Sequence, residues 1–110
     1  EMVNKDVFDC FKKQPVFVNT SRGLTVDEHA LYCALKDGTI SRAGLDVIVS
    51  ETPDFKEEIF SAPNVFFTPH AAFYSETALD EANRTAANNV VQFFAENYDK
   101  VRFVVKPDAL

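Results

Sequence analysis

Three short apolar runs constrain the fold of this 110-residue chain more than any other feature: Val16-Phe17-Val18-Asn19, Ala43-Gly44-Leu45-Asp46-Val47-Ile48-Val49 and Val65-Phe66-Phe67-Thr68. A strand with one wet face alternates apolar and polar residues, whereas these runs are nearly continuous, the pattern of parallel strands covered on both faces. Between the first two runs lies a stretch at helical spacing, with Ala30, Leu31, Ala34 and Leu35 as its apolar stripe. Thr25 or Asp27 can cap its start, and Asp37-Gly38 ends it. Strands alternating with helices are the mark of βαβ units. The expected class is therefore α/β, with three parallel strands and flanking helices.

The remaining stretches fit this frame. Asn4-Lys5-Asp6 starts a first helix carrying Val7, Phe8, Cys10 and Phe11, which Lys12-Lys13 closes near the negative end of its dipole. Ser50 to Ala62 is polar, holds Pro53 with Pro63 just beyond it, and reads as a long loop with a short helical turn near Phe55 to Phe60. Ser75 caps a long helix to about Asn97, with Ala78, Ala82, Thr85, Ala86, Val90, Phe93 and Phe94 along one side. Val101 to Val105 reads as a last extended segment.

At this length the chain makes one small domain, residues 1–110. Its net charge of -6, with no basic cluster, argues against a nucleic-acid or anionic-membrane surface. No run is long and apolar enough to span a bilayer. Cys10 and Cys33 have no neighbours at metal-ligand spacing. They read as reduced, partly buried thiols of a cytoplasmic protein.

Every strand is followed at once by polar residues that need a reason. The first gives Thr20-Ser21-Arg22-Gly23, the second carries Asp46 with Glu51 beyond it, and the third gives Thr68-Pro69-His70. In a parallel sheet all three strand ends lie on one edge, where open α/β sheets bind their ligands. Each residue alone has a plainer reading: Arg22 as a surface cation, Asp46 as the cap of a turn, Glu51 as a solvated loop charge, His70 as a packing histidine. Together they form a chemically coherent set. A guanidinium binds a carboxylate in a bidentate fork. A histidine beside a carboxylate suits general acid–base work near neutral pH.

The motifs N-T-S-R-G (19–23), V-D-E-x-A-L (26–31), A-G-L-D-V (43–47) with a glutamate five residues after its aspartate, and T-P-H (68–70) resemble, in this order, the D-isomer-specific 2-hydroxyacid dehydrogenases. The likeness runs from about Asn4 to Asn97. It implies the second half of a Rossmann-like, doubly wound NAD-binding domain plus a C-terminal helix. It also implies Arg22 as the holder of a 2-oxoacid carboxylate, His70 as the proton donor to the carbonyl oxygen, and Glu51 as the carboxylate paired with His70. By the same resemblance Thr20, Ser21, Arg22, Asp46 and His70 border the cofactor, Asp46 through the nicotinamide carboxamide. "TPHAAFYSE" (68–76) resembles the D-lactate and D-hydroxyisocaproate branch and also the C-terminal-binding-protein corepressors. Phe73 and Tyr74 then either border a substrate side chain or pack under the following helix.

The family's G-x-G-x-x-G fingerprint is missing, since the three glycines are Gly23, Gly38 and Gly44. The chain is thus expected to be a C-terminal piece of a longer dehydrogenase that is a homodimer when whole, with the rest of that dehydrogenase as its partner. The alternative is a non-catalytic assembly or interaction module in which the catalytic residues are vestigial.

Overall fold

The computed structural model describes residues 1–50 and 52–102, which fall into two compact units, Glu1–Ala72 and Phe73–Leu110. The first unit contains helix α1 (Lys5–Asp9), strand β1 (Val16–Asn19), helix α2 (Glu28–Lys36), and strands β2 (Arg42–Leu45) and β3 (Val65–Phe67). The strands form one parallel sheet in the order β1-β2-β3, with Asn19 opposite Leu45 and Leu45 opposite Phe67. The expected three-stranded parallel sheet is present, and this register brings all three C-terminal strand ends level.

Local chemistry sets the helices. The Asn4 side chain accepts from the Val7 N–H to start α1, and the Asp27 carboxylate accepts from the Ala30 N–H at 2.9 Å to start α2. Of the two caps open at the sequence level, Asp27 is the one used. Gly38, at φ 81°, supplies the left-handed residue that ends α2. The four residues of the α2 stripe are all buried, Leu31 completely, among Phe8, Val26, Ile40, Ala43, Leu45 and Ile59. Phe8 meets Phe17 of β1 edge-on, with ring centroids 5.6 Å apart.

Several boundaries differ from expectation. α1 ends at Asp9 instead of running to the two lysines, and Lys12 folds back so that its ammonium caps the Asp9 carbonyl at 3.1 Å. β2 stops at Leu45, so Asp46 to Val49 lie beyond the strand. The turn expected near Phe55 to Phe60 is a single 3-10 turn, Glu58–Ser61. Both cysteines are exposed. Among the described residues of this unit, the core packs on one face of the sheet. Phe17, Ala43, Leu45, Val65 and Phe67 point into the core, while Val16, Val18 and Phe66 are 62%, 65% and 70% exposed. Continuous apolar strands led to the expectation of cover on both faces, but the elements of this unit that pack on the sheet all join one core.

The second unit is helix α3 (Glu76–Phe94), started by Ser75, whose hydroxyl accepts from the Ala78 N–H at 3.1 Å, and followed by the 3-10 turn Tyr98–Lys100. The helix ends three residues before the expected Asn97, and none of its residues is buried. Phe73 is 61% exposed and stands edge-on to Tyr74, rather than packed beneath the helix. Arg102 N–H and C=O both bond the Asn89 side chain, and most of the expected final extended segment lies outside the described residues. Among those residues no helix is long and apolar enough to cross a membrane.

Candidate functional site

A cleft of about 650 Å³ opens at the C-terminal strand ends, within the 300–1,000 Å³ range usual for small-molecule sites. Arg22, Asp46 and His70 all line it, one from each strand end. Glu51 lies outside the described residues. Thr20 and Ser21 are exposed on the loop that carries Arg22.

That loop is built by Asn19, a residue the sequence reading passed over. Asn19 is 6% exposed, and its Oδ1 accepts from both the Ser21 N–H (3.0 Å) and the Ser21 hydroxyl (2.9 Å). Its Nδ2 donates to the Arg22 carbonyl at 3.0 Å, and its own carbonyl accepts from the Asp46 N–H at 2.9 Å. One amide side chain thus folds Thr20-Ser21-Arg22 back on the strand end in an Asx turn. The Arg22 guanidinium hydrogen-bonds only the Ser21 carbonyl among the described residues, at 2.7 Å, which leaves most of its five donors for a ligand.

Gly23 follows at a point of very close approach. A Cβ there would lie 2.0 Å from the Ile48 carbonyl carbon and 2.3 Å from the Val49 nitrogen, so only glycine fits. The passing segment is fastened from α2, where Glu28 Oε1 accepts from the Val49 N–H at 2.6 Å. Burial pushes the Glu28 carboxyl upward, against the lowering effect of that hydrogen bond. The V-D-E motif is therefore structural in all three residues: Val26 fills the core, Asp27 caps α2 and Glu28 holds the wall of the cleft.

Asp46 acts as a clamp. It is 6% exposed; Oδ1 accepts from the Thr68 hydroxyl (2.5 Å) and the Ala71 N–H (2.8 Å), and Oδ2 from the Ala72 N–H (2.9 Å). The Thr68 hydroxyl, then the two backbone N–H groups and the nearby His70, lower its pKa despite the opposing effect of burial. Between these anchors the chain makes a tight turn over Pro69, with the His70 N–H donating to the Thr68 carbonyl at 2.9 Å. His70 itself has φ 54°, a left-handed conformation that costs a non-glycine residue on the order of 1 kcal/mol and persists only where surroundings enforce it. Three bonds to one carboxylate are that enforcement, and they hold an exposed imidazole at the cleft.

The far wall is apolar. Phe55, Phe60 and Phe67 form a chain of rings with centroids 5.1 and 4.9 Å apart, beside Pro53, Val47 and Ile48. Phe73 and Tyr74, for which the sequence leaves open a substrate border or packing under the following helix, belong to the second unit.

As a host for a dinucleotide the chain is one-sided. The cleft brings a carboxylate, a guanidinium and an imidazole together at the strand ends. The pyrophosphate needs free N–H groups at a glycine-rich helix start. The start of α2 is instead closed by the Asp27 carboxylate with Glu28 beside it.

A parallel α/β unit with a cleft at its C-terminal strand ends has the ligand-binding architecture of open α/β sheets. Residues 1–72 match the family of the D-isomer specific 2-hydroxyacid dehydrogenase, NAD binding domain, and the chain belongs to that family. It is 38% identical over 92 residues to the glyoxylate reductase of Pyrococcus horikoshii, covering 84% of this chain and 27% of that protein. It is 38% identical over 96 residues to the glycerate dehydrogenase of Methylorubrum extorquens, covering 86% of this chain and 31% of the relative. The crystal structure of D-lactate dehydrogenase from Aquifex aeolicus complexed with NAD and lactic acid superposes with a TM-score of 0.79 at 29% identity, over 94% of this chain and 36% of that one. The chain thus spans about a third of the length of the relatives it matches.

Proposed function

We propose that this chain is the catalytic half of the NAD-binding domain of a longer D-2-hydroxyacid dehydrogenase, which reduces a small 2-oxoacid with NADH. The observation that carries this reading is the shared cleft of Arg22 and His70, with His70 held at a strained φ by Asp46. NADH, when bound, supplies the hydride. Arg22 binds the substrate carboxylate bidentately and draws charge toward the adjacent carbonyl. His70 gives its proton to the carbonyl oxygen as negative charge develops there. Glu51 is the carboxylate assigned as His70's pair, and Thr20, Ser21 and Asp46 border the nicotinamide. The ring wall of Phe55, Phe60 and Phe67 keeps water from the reacting carbon. The missing glycine turn and the limited coverage of the relatives support a piece of a larger enzyme that turns over only with the rest of its chain, and we infer a cytoplasmic homodimer for the whole.

The test is a pH–rate series for NADH oxidation with pyruvate and glyoxylate on the full-length dehydrogenase. His70→Gln is expected to remove the pH dependence, and Arg22→Lys mainly to raise KM. Glu51→Gln is expected to move the profile to lower pH, with a loss of roughly 10²-fold near neutrality. An unmoved profile in Glu51→Gln sinks the dyad, and full activity in His70→Gln sinks the enzymatic reading in favour of a non-catalytic module.

A further inference from the structure

A second cluster lies away from the cleft, where α2 meets the 3-10 turn Glu58–Ser61. His29 Nδ1 is 2.6 Å from Glu58 Oε2, and on the next turn of α2 the Cys33 sulfur is 3.7 Å from His29 Nε2. A carboxylate can only accept, so Nδ1 carries the hydrogen and the Nε2 lone pair faces the thiol. The order carboxylate, imidazole, thiol is that of an activated nucleophile. All three side chains are exposed, so the sulfur can be reached from solvent.

We propose that Cys33 is a peroxide-reactive thiol, activated by His29 with Glu58 as its positioning carboxylate. His29 Nε2 takes the thiol proton. The thiolate attacks one peroxide oxygen, a sulfur–oxygen bond forms as the O–O bond breaks, and the imidazolium returns its proton to the departing hydroxide. Sulfur loses two electrons and the peroxide gains them, which leaves a sulfenic acid and water. Glu58 favours the imidazolium by hydrogen bond and charge, and Asp27 at the start of α2 adds in the same direction. Cys10 supplies the contrast within one molecule. It too is exposed, but its thiol donates to the Asp6 carbonyl at 3.2 Å, a contact that offers no base.

The experiment treats the full chain with hydrogen peroxide in the presence of dimedone and follows labelling of each cysteine by mass spectrometry. Cys33 is expected to label about tenfold faster than Cys10. This is less than the roughly 10²–10⁴-fold of enclosed acid–base groups, because the cluster faces water. His29→Gln should bring Cys33 near the Cys10 rate, and Glu58→Gln, which keeps a hydrogen-bonding side chain without the charge, should fall between. The Cys10 rate reports whether each variant keeps its fold. Equal rates at the two cysteines of the unaltered chain overturn the proposal. So does a Cys33 rate unchanged by His29→Gln, or a fall shared equally by both cysteines.

Discussion

Asn19→Ala is the most direct test of how the arginine loop is held. The substitution removes three side-chain hydrogen bonds, two accepted by Oδ1 from Ser21 and one donated by Nδ2 to the Arg22 carbonyl. Each is worth about 0.5–1.5 kcal/mol net. Ser21 and Arg22 are exposed and regain water when the amide is gone, so the sum falls toward the low end, about 2 kcal/mol. For a domain this small that is a fall in Tm of about 10 °C. In urea it is a fall in midpoint of about 1 M at an unchanged slope, since the slope follows the surface exposed on unfolding. Ser21→Ala, which loses the hydroxyl's contacts with Asn19 Oδ1 and Thr25 Oγ1 but keeps the Ser21 N–H bond to Asn19, should cost less than Asn19→Ala. In the full-length enzyme the freed loop should raise KM for the 2-oxoacid more than it lowers kcat. A urea midpoint for Asn19→Ala within about 0.2 M of the parent chain would mean that the loop is fixed by something other than Asn19, and the positioning role would be lost.

Gly23→Ala should destabilise by at least about 3 kcal/mol, because its methyl would meet backbone atoms of Ile48 and Val49 that cannot turn aside; stability close to the parent's in chemical denaturation would refute this. The depressed Asp46 carboxyl contributes stability fully above the ordinary aspartate value of about 3.9 and loses it as pH falls through the lower folded value. The stability difference between the parent chain and Asp46→Asn should therefore narrow steadily below about pH 4, and a difference constant down to pH 2 would contradict the clamp. The 110-residue chain alone should bind NADH no tighter than millimolar, since the Asp27 carboxylate closes the start of α2 to a pyrophosphate. Calorimetry showing micromolar affinity would refute that.

How much of this protein is legible in its sequence depends on whether the interaction concerned is local. β1 is read to the residue, and α2 with its stripe and its stop at Asp37-Gly38 nearly so, because spacing, caps and glycine act within a turn or two of chain. That Arg22, Asp46 and His70 meet at one cleft is legible because parallel strands must bring their C-terminal ends to one edge, whatever the details of packing. Asn19 was within reach as well: an asparagine two residues before a serine at a strand end is an Asx-turn signal. The lengths of α1 and β2 were not legible. Where a chain leaves a helix or strand is settled by competing bonds that no spacing marks: a local one at the end of α1, where Lys12 turns back onto the Asp9 carbonyl, and a tertiary one past β2, where the Asp46 carboxylate reaches over to the turn after β3. The clamp on His70 joins residues more than twenty positions apart, and the Cys33–His29–Glu58 cluster needs α2 and a 3-10 turn twenty-nine positions on to meet. No periodicity records such meetings. The sequence by itself determined which residues are apolar, which cap, and which strand ends gather the polar residues. Only the tertiary structure decided which polar groups bond one another across the sheet, because that depends on the packing of the whole core against it.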